Sequence, residues 1–543
     1  MSEQAVSTTR FQPFQIAFAG IAGALFTFTM WGVWYREFNA FGINVSLFLL
    51  SSLLVLHTDS SHEGNIRFAA FAAPFVMIAA NFALWESPYL RVITILLFFP
   101  MVFVALRMEQ RGSQWRWKMF ALLESLFEYL RACSVIPGVV RELPRYLPAR
   151  RGGCFRASGV EGRVIRGLLA LGAIACFVVI PLLASADADF AHLLDDVIQF
   201  ADAVFAWVFD SSPIMRVIWF AIIALGLLAL AGALMRSPST YPDAAEEHDP
   251  IIAGIVLGGI IMIYATFLYL QATKLFVSVL PEDFATTERI VKSGFWQLFV
   301  LTGLNIVLVN RWIRDPARVI ARLLTTFLVA SVLLLFSAGY RMTLYVVFYG
   351  LSVEKFFAMY TVLYCFIAFG FLFLQLISRD DRDTIRFFAK AALWMYAVAC
   401  VLPVENIIVF SNLALRHVPG SRQEFADMRM LSSDVLLAVH ANRDTLFVAS
   451  TQDKVGTMHG WNGWQVRQLG ILKEKRWYEL SISALINRLV AQDVEARAMD
   501  NGNSQCFVAT LRSRSARGAQ DLGGTESLSS ETCNGAPENA EIW

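Results

Sequence analysis

The chain of 543 residues is 57% hydrophobic and only 16% charged, with a formal net charge of +1. Soluble domains carry roughly 25% charged residues, so an ordinary soluble enzyme is excluded, and nothing calls for a nucleic-acid partner. Apolar runs able to cross about 30 Å of hydrocarbon, near 20 residues each, number about eleven. Roughly ten to twelve are allowed, because two are short or interrupted.

In chain order, the first four runs are Phe14–Trp34, Ala40–Leu56, Phe68–Trp85 and Leu90–Leu106. The first has no basic region before it beyond Arg10 and is followed at once by another run, so it is expected to remain as a span. Residues 107–166 then carry twelve Lys and Arg. Within them QWRWKMFALLESLFEYLRAC sets Met119, Leu122, Leu123, Leu126 and Leu130 on one helical stripe, ringed by Trp115, Arg116, Trp117, Lys118 and Arg131. This predicts a helix lying on the membrane surface, its cations drawn to anionic lipid by about 1 kcal/mol each. A docking site for a soluble partner is the alternative.

The fifth run, Val164–Ala184, exits into PLLASADADFAHLLDD, which has no Lys or Arg. Over residues 187–210, Phe190, Leu193, Leu194, Val197, Ala201, Val204, Phe205 and Val208 recur at spacings of three and four, which predicts an amphipathic outer helix. Asp187 or Asp189 would cap its N-terminus; a cation or proton site is the alternative. Ile214–Met235 and Ile251–Leu270 follow, the latter with Gly254 and Gly258 spaced for close helix contact. Phe295–Val309 and Ile320–Tyr340 come next. Met342–Leu351 is too short to span, so it is expected to lie on the outer face or to dip in and return. Tyr345 and Tyr349, four apart, share one of its faces.

The last two runs are Phe356–Ile377 and Phe387–Val409. Pro403 removes a helix hydrogen bond beside Glu405, which predicts a break there. An interrupted helix with a carboxylate is a device of transporters; capping at the headgroups is the plainer account. Residues 1–410 thus form a membrane domain, 411–512 a small extramembrane region, and 513–543 a polar Gly/Ser-rich tail expected to be disordered. The seven cysteines include no CxxC pair; Cys506 and Cys533 could pair in an oxidising compartment.

Loop charge sets orientation, because Lys and Arg resist translocation. The 107–166 segment and the loops Arg311–Arg322 and Arg379–Lys390 fall on the side of the N-terminus, which places it in the cytoplasm. With an odd count the C-terminus lies outside. Phosphate-loop, dinucleotide, zinc-peptidase and nucleophile-elbow patterns are all missing from the sequence. No cofactor or metal is expected, and the sequence leans away from an enzyme.

Four segments in order resemble a family of bacterial integral membrane proteins, domain of unknown function 4153, and its relative 4173. They are LLASADADF, LPEDFATTERIVKSGFWQLF with Gly294 and Phe295, SAGYRMTLYVVFYGLSVEKFF, and the exit of the last run. In the third, Ser337, Arg341, Met342, Tyr345, Tyr349, Gly350 and Leu351 fit the pattern, with Lys355 where arginine is expected. In the fourth, Asn412 and Leu413 precede LSSDVLLAV with Asp434. The resemblance implies a bacterial inner-membrane helix bundle and brings no established activity.

The sequence therefore predicts an all-α, polytopic transmembrane helical bundle with interfacial amphipathic helices and a small C-terminal extramembrane region. An outer cluster of Asp187, Asp189, Arg341, Tyr345, Tyr349 and Glu405 is expected within ~20 Å, about two helix diameters. The function expected is that of an envelope sensor, assembly or regulatory protein with an envelope or cytoplasmic protein partner. A secondary transporter or channel, or a lipid-linked transferase, are the alternatives.

Overall fold

The computed structural model describes residues 11–30, 41–57, 62–111, 121–132, 213–235, 250–275, 301–309, 318–378, 384–418, 431–442, 464, 468–473 and 475–488, with the isolated positions Ile136, Val139 and Trp312. Among them the regular structure is helical and no strand occurs. Hydrocarbon offers no hydrogen-bond partner, so each spanning segment must satisfy its own backbone. Hydroxyls inside the helices do likewise: Thr325, Thr326, Thr343 and Ser378 each donate to the carbonyl four residues back.

Helix α1 (Pro13–Leu25) runs into a π-helical turn (Phe26–Met30) and is followed by α2 (Ile43–Val55), α3 (His62–Leu84), α4 (Pro88–Arg111) and α5 (Ala121–Arg131). Then come α6 (Pro213–Met235), α7 (Pro250–Leu275), α8 (Arg318–Tyr349), α9 (Val353–Ser378), α10 (Thr384–Val401) and α11 (Val404–Leu415). A 3-10 turn (Ser433–Val435) leads into α12 (Leu436–Ala441), and a second 3-10 turn covers Trp477–Glu479.

Two apolar cores organise these helices. The first is built by α1–α4, α6, α10 and α11, and it takes in Leu431, Val435, Leu436, Trp464, Leu472 and Ala484 from the C-terminal region. The second is built by α7, α8 and α9 with residues 301–309. Inside it, the Tyr264 hydroxyl donates to Asn305 Oδ1 (2.5 Å), and Asn305 Nδ2 donates to Ser331 Oγ (3.1 Å). The cores are joined where Phe371 of α9 stacks on Phe387 of α10 at 3.8 Å, and where Tyr360 and Tyr364 donate to the carbonyls of Met395 and Phe388.

The two ends of the bundle differ in chemistry. At one end the buried Gln15 of α1 donates to the carbonyls of Val55 and His57 beyond α2. Arg107 of α4 there donates to the Ala233 carbonyl at 2.7 Å and pairs with Glu128 of α5 at 2.9 Å. Arg386 and Lys390 of α10 both pair with Glu109. On α5, Leu126, Phe127 and Leu130 are exposed while Ser125 is buried, so its apolar side faces away from the protein. At the opposite end lie the α3–α4 turn, the α8–α9 turn, the α10–α11 break and the C-terminal pieces.

Seven helices are long and apolar enough to cross a membrane among the described residues, against about eleven expected from near 20 residues per span. The differences have physical causes. Helix α2 has 13 residues and α11 has 12, or about 20 and 18 Å at 1.5 Å per residue. Pro403 divides the last apolar run into α10 and α11, so α11 is a separate short helix. Met342 to Tyr349, expected to leave the span, instead continues α8 as one helix of 32 residues; the helix gives way at Gly350, with φ of 78°. The run Val164–Ala184, the first part of Phe295–Val309 (295–300), and the 187–210 helix lie outside the described residues.

Gly42 precedes α2 where the C-terminal region crosses it. A Cβ there would stand 2.3 Å from the Glu479 carbonyl oxygen, a backbone atom that cannot swing aside. Gly42→Ala is expected to destabilise the fold by about 1–3 kcal/mol, read as a lowered midpoint of thermal unfolding in detergent, with residues 475–488 the first to lose protection from hydrogen exchange.

Candidate functional site

The turn Trp85-Glu86-Ser87 connects two apolar helices, and its position is fixed by both. Trp85 donates from Nε1 to the Val401 carbonyl at 2.9 Å, which ties the turn to the end of α10. Arg91, in the first turn of α4, folds back so that its guanidinium reaches the Trp85 carbonyl (2.7 Å) and Glu86 Oε1 (3.1 Å). Lys475 of the C-terminal region pairs with the other oxygen, Oε2 of Glu86. The side chains of Arg91, Glu86 and Lys475 are 1%, 5% and 3% exposed. Glu86 therefore holds one cation from its own neighbourhood and one from far along the chain.

Asp434 and Glu405 complete the cluster. Both carboxyl oxygens of Asp434 accept from the Glu86 backbone N–H, at 2.9 and 2.7 Å. Glu405 stands in the first turn after Pro403 and is buried; its Oε2 accepts from the Ser432 N–H (2.7 Å) and the Ser432 hydroxyl (2.6 Å). Asn406 and Asn487 donate to the carbonyls of Asp434 and Ser433. Arg488 donates to the carbonyls of Leu472 and Lys475, so the strand of chain that carries Lys475 is itself fastened.

Burial alone would raise the Glu86 carboxyl, but Arg91 and Lys475 outweigh it and hold it below the usual carboxylate range. Burial lowers the Lys475 ammonium, and Glu86 opposes the shift. Among the described residues no ion pair joins Asp434 to a cation. Burial first, then the charges of Glu405 and Glu86, push its carboxyl up to about 7.

Of the residues expected to form an outer cluster, Arg341, Tyr345, Tyr349 and Glu405 lie among the described residues. Tyr345 and Tyr349 lie together near the end of α8, with ring centroids 5.3 Å apart. The Lys355 ammonium stands 4.4 Å over the Tyr345 ring and donates to the Gly350 carbonyl at 2.8 Å. Asn412 makes two hydrogen bonds with Leu351, from its amide to the carbonyl (2.9 Å) and from the Leu351 N–H to Oδ1 (2.6 Å). Ser337 and Met342 are buried on α8, and Leu413 packs against the first core. Glu405 sits instead beside Arg91 and Asp434, and no ion pair joins it to Arg341, which is half-buried on α8. Asp187, Asp189, Gly294 and Phe295 lie outside the described residues.

Glu86, Arg91 and Lys475 were not singled out by sequence reasoning. Arg91 carried a usable signal, since a cation inside an apolar run needs a partner. Glu86 five residues earlier was that partner. Lys475 carried none.

The fold and the site together define a polytopic helical membrane protein with a buried acid–base cluster at one end of its bundle. Residues 72–441 match the family described as Domain of unknown function (DUF4153), and the chain belongs to that family. No curated protein and no solved structure matches the chain.

Removing one partner of a buried pair leaves the other charge uncompensated, at a cost of about 3–5 kcal/mol. Lys475→Met is expected to destabilise by that order. The double substitution Glu86→Gln with Lys475→Met should recover a large part of the loss, measured by chemical unfolding in detergent. A loss in the double variant equal to the sum of the two single losses would show that the pair is not coupled.

Proposed function

We propose that the chain is a non-enzymatic regulatory protein of the bacterial inner membrane, a sensor or assembly factor, whose C-terminal region is clamped on the outer end of the bundle. The observation that carries this is Lys475. It lies beyond the family-matched segment, yet it is buried against Glu86 of the α3–α4 turn. Through Glu86, Trp85, Asp434 and Glu405, a change in the clamp reaches α3, α4, α10 and α11 together. Relay between an extramembrane region and a bundle needs such a shared element with two arrangements.

Orientation is supported by charge. Arg107, Arg386 and Lys390 lie at the end opposite Glu86, and the sequence from residue 107 to 166, which starts from that end, carries twelve Lys and Arg. Cations resist translocation, so we take that end as cytoplasmic and in contact with anionic lipid. The Glu86 end and the C-terminal region then face outward, toward a protein partner in the envelope. A secondary transporter is favoured by one observation, the buried Glu405 directly after the break at Pro403. Against it, the cluster lies where helices end rather than midway along them.

In a strain lacking the gene, a chain truncated after Asn442 is expected to reach the membrane and yet fail to restore the wild-type envelope phenotype. Full restoration by the truncated chain would locate the activity in the bundle alone, as a transport path requires, and would end the regulatory assignment.

A further inference from the structure

We propose that Glu405 and Asp434 form a proton-binding site, and that its proton sets how firmly residues 475–488 dock on the bundle. The second part rests on the clamp proposed above; the first does not.

The geometry leads there in three steps. Among the described residues, five ionisable side chains meet at the cluster: Glu86 from the α3–α4 turn, Arg91 from α4, Glu405 from α11, Asp434 from the 3-10 turn, and Lys475 from the C-terminal region. Arg91 and Lys475 both pair with Glu86. Three carboxyls against two cations leave one negative charge in excess, in a place closed to water. A buried, unbalanced charge is strongly disfavoured, and one proton removes it.

The cluster also has an open place for that proton. Glu405 Oε2 takes both Ser432 donors, while Oε1 is sealed from solvent and accepts no hydrogen bond. Ser87 approaches Glu405 without completing a bond of normal geometry to that oxygen. Protonation turns Oε1 from an idle acceptor into a donor.

A metal ion fits poorly. Both Asp434 oxygens already accept the Glu86 N–H, two cations stand alongside, and no metal-binding group of three acidic, His or Cys side chains occurs among the described residues. Hard cations require several free oxygen ligands.

Burial and the two neighbouring carboxylates raise Asp434 from its ordinary 3.8 to about 7, so the proton exchanges in the range where cells work. The sign follows from linkage. A carboxyl raised by docking binds more protons docked than released, so docking is firmest below pH ~4, weakens as pH rises toward ~7, and is level above. One proton limits the slope to about tenfold per pH unit.

The test uses the full chain in lipid nanodiscs between about pH 4 and about pH 9. The infrared difference spectrum between wild type and Glu405→Gln reports the proton. Hydrogen-exchange protection factors of residues 476–488 report docking. Expected is a carboxylic-acid carbonyl band in wild type that fades toward neutral pH and is absent from Glu405→Gln. Protection should fall with rising pH in wild type by up to about tenfold per unit. In Glu405→Gln it should stay high and level, because the neutral amide balances the cluster without a proton. A misfolded variant cannot produce tighter docking. The same band persisting in both Glu405→Gln and Asp434→Asn, or no such band in wild type, overturns the site. A titrating band with level protection in wild type overturns its control of docking, a result separate from the truncation test of the clamp.

Discussion

Glu86 is a carboxylate placed between two membrane helices, and the arrangement around it depends on how its charge is neutralised. Its side chain holds Arg91 and Lys475, and its backbone N–H is held by Asp434. A buried ion pair is often no more stable than an apolar pair of the same size, because desolvation offsets the attraction. Its effect on specificity is larger. The Lys475 ammonium is held at Oε2 of Glu86, so the pair fixes where the C-terminal region lies more than it fixes how stable the protein is. Apolar contacts from Trp464, Leu472 and Ala484 supply non-directional attraction; the charges supply position.

The second core has no comparable cluster among the described residues. Its polar link is Tyr264, Asn305 and Ser331, neutral groups that bond across helices where lipid gives no competing partner. The first core meets it through ring stacking and single hydrogen bonds along α9 and α10, and through the Asn412–Leu351 pair at the cluster end. Helix α11 therefore touches both parts: Glu405 at its start belongs to the acid–base cluster, and Asn412 near its end belongs to the α8–α9 turn. The break at Pro403 is what turns this helix across the bundle end instead of along its axis.

Much of the architecture was legible in the sequence, since a run of near 20 apolar residues has few fates besides a membrane helix. The break at Pro403 was legible because proline removes a specific hydrogen bond. The continuity of α8 through Arg341 was not. Arg341 and the short apolar stretch after it suggested an exit from the helix, but a long side chain can carry its charge away along the surface while the backbone stays helical. Glu405 was recognised as a candidate and Asp434 as part of the family-like pattern, while Glu86 and Arg91 beside them were not. The companion arginine was sought in the family-like segment, at Arg341, when Arg91 was the one nearby. Charge alone shows that a partner is needed, and the tertiary arrangement decides which one. Lys475 illustrates the limit: it is separated from Glu86 by 389 residues, with no periodicity that connects them.

That separation has a consequence for how the chain is made. Arg91 can meet Glu86 as soon as α4 emerges, since the two are neighbours in sequence, so the turn can enter the membrane as a neutral pair. Asp434 and Lys475 arrive only after α11 has been made. Until then the first core lacks the residues that close it, and the Glu86 N–H has no Asp434 to bond. The bundle is thus assembled early and sealed late, so an interrupted or shortened chain would leave an open seam at one end that membrane quality control could recognise.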